Sequence, residues 1–142
     1  MGIYGDYRNK TEWLEAFGRE VQRHREQKGL AKNDVIAGLH TGMDTIRAVE
    51  LGFGTTFLES LLRVANYVGM DLCDDVREIG RRIAACRAYR QKSRREVAEM
   101  CCLSERTIVN AEIYAHSMCV NTFLSVCEAL NVAPMVLLKK EW

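Results

Sequence analysis

Arginine and asparagine are the side chains best able to place two hydrogen bonds on the edge of one base pair, arginine on guanine and asparagine on adenine. The stretch Leu103–Tyr114, LSERTIVNAEIY, holds one of each, at Arg106 and Asn110. In a helix that spacing brings both to one face, one turn apart, while Ile108 and Glu112 turn inward. Ser104 stands at the start, where a hydroxyl can accept a bond from an unpaired N–H of the first turn. A short helix of this kind suits the DNA major groove.

A second candidate for chemistry is the basic run RAYRQKSRRE, Arg87 to Glu96. Such a run is either a solvated helix face or a set of phosphate contacts. The net charge of the whole chain is only +1, so no global basic field marks it as a nucleic-acid binder. The surplus is local: residues 79–142 carry 10 basic and 6 acidic side chains.

Other chemistries find little support. His24, His40 and His116 have no ligand-spaced companions, and the six cysteines form no C-x-x-C pair. Most of the cysteines fall at apolar helix positions, so they read as reduced core thiols. There is no Ser-His-Asp set, no phosphate-binding glycine loop and no paired carboxylates in a cleft-forming context. The expectation is therefore no enzymatic step, no metal, no cofactor and no small-molecule substrate. The start, MGIYGDYRNK, lacks a secretory pattern, and no apolar run approaches the ~20 residues of a membrane span. A cytoplasmic protein without a membrane partner is expected.

The elements that must position these residues read as helices throughout. Thr11 can cap a first helix bearing the apolar stripe Trp13, Leu14, Phe17 and Val21, closed by Gly29. A short segment, Asn33 to Leu39, leads to a turn at His40-Thr41-Gly42 and a helix over Met43–Leu51. After Gly52-Phe53-Gly54, Thr56 with Glu59 has the pattern of a capping box for a longer helix ending at Gly69. Asp71 can cap a fifth. Helical apolar spacing runs through Leu72–Tyr89, which predicts that this fifth helix continues into the next one.

The chain then repeats itself. Shifted by 62 residues, Gly18 falls on Gly80, Arg25 on Arg87, Val35 on Val97, Thr45 on Thr107, Ile46 on Ile108, Glu50 on Glu112 and Leu62 on Leu124, with no gap. Units of about 60 residues are too long for a solenoid repeat and can fold alone. The fold expected is all-α: two tandem five-helix domains, residues 11–74 and 75–142, with little or no linker.

The segments VIAGLHTGMDTIRAVELG and LESLLRVANYVGMDL, with SRREVAEMCCLSERTIVNAEIY and NTFLSVCEALNVAPMVLL, resemble the lambda-repressor-like (Cro/CI, XRE) helix-turn-helix family. The resemblance covers nearly the whole chain from about residue 17. It implies a DNA-binding domain used twice, and a transcriptional regulator, such as a repressor, of bacterial or phage type. By position it implies phosphate contacts from Arg94 and Arg95, and base-reading positions at Glu105, Arg106 and Asn110 with Thr107 beside them. His116 lies in the following loop, a common phosphate-contact site. Glu105 either accepts from cytosine N4 or repels phosphate.

In the first unit the same positions are weaker: Lys32 and Asn33 at the start of the second helix, then Met43, Asp44 and Ala48, with Arg47 alongside. Ala31 replaces the capping hydroxyl. That unit either still touches DNA or has become a docking surface, to which Met43, Phe53 and Phe57 bring apolar area. The resemblance also pairs Arg25 with Glu50 and Arg87 with Glu112, each 25 residues apart, as structural ion pairs. Double-stranded DNA is the expected partner, with one tandem chain mimicking a dimer over half-sites about 34 Å apart, or two chains forming a homodimer. The alternative is a protein-interaction module, antitoxin-like or adaptor, that keeps the fold without reading DNA.

Overall fold

Helix formation begins at Asn9, whose Oδ1 accepts from Glu12 N at 2.9 Å and caps α1, Lys10–Gln27. Thr11, two residues on, lies inside that helix and does not cap it. The computed structural model describes residues 3–142. Among them the chain is all-helical: α1 is followed by α2 (Lys32–Leu39), α3 (Met43–Leu51), α4 (Leu58–Tyr67), α5 (Val76–Tyr89), α6 (Arg94–Cys101), α7 (Glu105–Ile113), α8 (Val120–Ala129) and α9 (Pro134–Leu138). A 3-10 turn at Ala115–Ser117 separates α7 from α8.

The sequence period reappears in the backbone. Helices α2, α3 and α4 recur as α6, α7 and α8 with both ends displaced by 62 residues, and α1 and α5 stop at Gln27 and Tyr89, the same displacement. Even the turns match: His40 and Cys102, which end α2 and α6, both take left-handed backbone, φ 55° and 56°. Inside, Val21, Val35, Ile46 and Leu62 are fully enclosed, and so are their equivalents Ile83, Val97, Ile108 and Leu124. The buried apolar side chains form one continuous cluster from Tyr4 to Leu138.

Other local expectations fail as well. Helix α4 starts at Leu58 without a side-chain cap, and Thr56 is buried with its hydroxyl unpartnered. The cause is a tertiary competitor: Leu58 N donates to Met118 O at 2.9 Å, so the first turn of α4 is satisfied from the other half of the chain. Asp71 adopts left-handed backbone, φ 56°, and the cap of α5 is Asp75, which accepts from Arg77 N at 2.9 Å.

Nor is Leu72–Tyr89 one helix, and no fifth helix forms within residues 11–74. Leu72 N donates to Asn66 Oδ1 at 2.6 Å and Cys73 N to Leu138 O at 2.9 Å, which holds this stretch extended. Its equivalent in the second half begins with Pro134, whose fixed φ suits the first position of a helix, and there α9 forms.

The two halves meet across a short antiparallel bridge between Phe57 and Cys119, residues 62 apart. Leu58 N donates to Met118 O, and reciprocally Val120 N donates to Thr56 O at 2.8 Å. A buried arginine that the sequence does not single out, Arg82, donates from Nη1 to Leu137 O at 2.9 Å and Lys139 O at 2.6 Å, tying the end of α9 to α5.

Helix α5 crosses α7 at Gly80, where a Cβ would lie 2.6 Å from Glu112 O; α1 crosses α3 at Gly18 still more tightly. Only backbone fits there. Gly80→Ala should therefore cost roughly 1–3 kcal/mol as an overpacking substitution, despite alanine's better helix propensity. The urea midpoint checks this, and an unchanged or raised midpoint would contradict so close a crossing.

Candidate nucleic-acid interface

Ser93 opens α6: its Oγ accepts from Glu96 N at 3.0 Å, and Glu96 Oε1 accepts from Ser93 N at 3.0 Å. These bonds hold the Glu96 carboxyl below the usual carboxylate range. The carboxylate half of the cap, the bond from Ser93 N, therefore stabilises α6 above that range, and its contribution is lost as pH falls through the depressed value. A three-residue turn, Cys102–Ser104, then leads into α7. Ser104 Oγ accepts from Thr107 N at 3.1 Å, so both helices start from a serine cap.

The burial pattern on α7 orients it. Ile108, Ala111 and Glu112 face the core, while Glu105 and Arg106 in its first turn are exposed and Asn110 is half-buried. Thr107 is half-buried, and its hydroxyl lies 2.8 Å from Ser104 Oγ, so it takes part in the cap of α7. Glu105, Arg106 and Asn110 thus sit together on the outward side of the first turns of α7.

What holds α7 in place is an ion pair at its far end. Arg87, on α5, donates from Nε to Glu112 Oε2 at 2.6 Å and from Nη2 to Oε1 at 3.0 Å. Its Nη1 donates to Lys92 O at 3.0 Å, in the turn before α6. One guanidinium therefore joins α5, the entry to α6 and the end of α7. The first half repeats the arrangement: Arg25 donates to Glu50 at 2.6 and 3.1 Å and to Leu30 O at 2.9 Å. Both glutamate carboxylates are almost wholly removed from water.

Several residues of the basic run have internal partners. Arg94 Nε donates to Glu112 Oε1 at 3.1 Å, which makes Glu112 the acceptor for two arginines and commits Arg94 in part to the fold. Arg90 donates to Asn131 O at 3.2 Å. Arg95 is exposed, with Glu99 one turn away at 3.4 Å, an exposed pair that adds little to stability. His116 does not stand free in its loop. Its Nδ1 meets Glu59 Oε2 across the junction between the halves, a partner on another element that sequence spacing does not reveal.

In the first half, Lys32 is half-buried and Asn33 exposed at the start of α2, where Asp34 Oδ2 accepts from Ala31 N at 2.7 Å. Gly42 precedes α3 without a side-chain cap. Met43 and Ala48 are half-buried, and Asp44 and Arg47 exposed. The geometry of α2 and α3 thus repeats that of α6 and α7, but the outward side chains differ in kind.

Comparisons with protein-family models, with curated proteins and with solved structures found no match. The six cysteines are free thiols. Burial pushes the thiol of Cys127 well up, and those of Cys86 and Cys101 up to a lesser degree, so all three stay protonated at neutral pH.

Removing one partner of a buried ion pair leaves an uncompensated charge inside. Glu112→Ala should cost roughly 3–5 kcal/mol. Arg94→Ala, which removes only the more exposed of two arginines, should cost clearly less. Urea denaturation of the two variants tests the order. Equal losses would mean that Arg94, not Arg87, anchors Glu112.

Proposed function

We propose that the protein is a sequence-specific, double-stranded-DNA-binding transcriptional regulator of bacterial or phage type. In this reading it comprises two tandem lambda-repressor-like helix-turn-helix domains, residues 11–74 and 75–142. The observation that carries it is the outward face of α7. A helix fixed from behind by Gly80 and the Arg87–Glu112 pair presents Glu105, Arg106 and Asn110 from its first turns. These are side chains able to read base edges, and the N-terminal part of the second helix is where such motifs contact bases.

Arg95 and the N-terminus of α6 would take phosphates, setting register without reading sequence. Arg94 is the weaker candidate for that role because Glu112 shares it. The mechanism is occupancy of an operator, with no covalent step. A cytoplasmic setting fits, and no described helix is long and apolar enough to cross a membrane.

A protein-interaction role is favoured by one specific feature. Leu51, Phe53 and Phe57, at and after the end of α3, are each more than half exposed. Salt separates the two readings. A DNA reader making several phosphate contacts should lose about 10³-fold or more in affinity between about 50 and 200 mM salt. An apolar docking surface should not.

The double substitution Arg106→Ala with Asn110→Ala should remove most of the discrimination between a selected operator and random DNA, expected at about 10³-fold or more, while leaving helicity intact. Competition binding read alongside circular dichroism checks both halves of the statement. Retained specificity would move base reading to another surface.

A further inference from the structure

A tandem repeat can be assembled in two ways. Its copies can follow one another by translation, which presents two reading helices in the same direction, or face each other across a two-fold axis. The junction between the halves decides between them. In the antiparallel bridge Phe57–Cys119, the partners are the same position of each repeat. The flanking bonds, Leu58 N to Met118 O and Val120 N to Thr56 O, exchange into one another when each residue is replaced by its equivalent 62 away. Translation cannot do this; a two-fold rotation does.

The contacts around the bridge follow the same exchange. Asn121 N donates to Gly54 O at 2.9 Å, and the equivalent positions, Glu59 and His116, meet across the junction through Oε2 and Nδ1.

A two-fold axis keeps height along itself, so α3 and α7 stand at one level on opposite sides of it. Each also leads directly into the loop that forms the junction. Their outward side chains are unequal, however: Glu105, Arg106 and Asn110 on α7 correspond to Met43, Asp44 and Ala48 on α3.

We infer that a single chain is a built-in pseudo-dimer that occupies an inverted pair of DNA half-sites of unequal stringency. The α7 half is read by bidentate side chains. The α3 half is held with little base preference, its Asp44 lying near the phosphates. This rests on the DNA-binding reading above, and adds that the site is inverted, asymmetric and covered by one chain.

The test is selection from a double-stranded library with ~30 random base pairs, about three helical turns. It is run on the unaltered chain and on a variant in which α3 copies α7, Met43→Glu, Asp44→Arg and Ala48→Asn. The three positions are exposed or half-buried, and circular dichroism checks the variant's helicity.

The unaltered chain should enrich one defined half-site, protect about two helical turns in a footprint, and bind one chain per duplex by native mass spectrometry. The variant should enrich an inverted repeat, its second half gaining about 10-fold or more in discrimination per contacted base pair. A direct repeat in the variant, an equally stringent palindrome with the unaltered chain, or two chains per site would each overturn the inference and leave DNA binding standing. No enrichment with the unaltered chain, in low salt as well, would overturn the DNA-binding reading itself. The footprint and complex mass of the unaltered chain decide the matter should the variant not fold.

Discussion

The position of α7 depends on one interaction, the grip of Arg87 on Glu112. A carboxylate sealed from water is tolerable only when its lone pairs are met by donors, and here two arginines meet them. The same guanidinium reaches Lys92 O, so the turn that launches α6 and the end of α7 are referred to one point on α5. Gly80, one helical stretch earlier, brings the two backbones together so that the grip is short. With its far end fixed, α7 projects its first turns outward. Arg25, Glu50 and Gly18 do the same for α3.

Under the proposed function, the protein separates scaffold from reader. The buried and ion-paired positions agree between the two halves, residue for residue in many cases, because each is fixed by contacts on several sides. The outward positions of α3 and α7 touch little and have diverged. The asymmetry lies where change does not disturb the fold, and it changes the side chains each helix presents rather than where the helix sits. The exposed Leu51, Phe53 and Phe57 belong to the first half only; their equivalents are Ile113, Ala115 and Cys119, of which only Ile113 is strongly exposed.

Much of this was legible in the sequence, for identifiable reasons. Helical periodicity and a serine cap are local, so α7 could be placed to within a residue or two, and Ser104 acts as its spacing suggests. The gapless period made the second half a guide to the first. What escaped was decided by distant partners. Thr56 caps nothing because Leu58 N is taken by Met118 O, and Leu72–Asp75 is held extended by Asn66 and Leu138; the cap of α1 differs instead by a local choice, Asn9 over Thr11. The partner of His116, the second arginine on Glu112 and the buried role of Arg82 likewise join residues with no fixed spacing. The two-fold relation of the halves has no signature in a linear repeat at all.

The central claim, that the outward face of α6 and α7 is a DNA-reading surface, is tested most directly by amide NMR during titration with a short duplex at low salt. The account predicts shifts gathered at residues 93–95 and 104–110, with weaker changes at the equivalent positions of α2 and α3 and little along α5 or α8. Shifts absent at low salt, or centred instead on Leu51, Phe53 and Phe57, would contradict it.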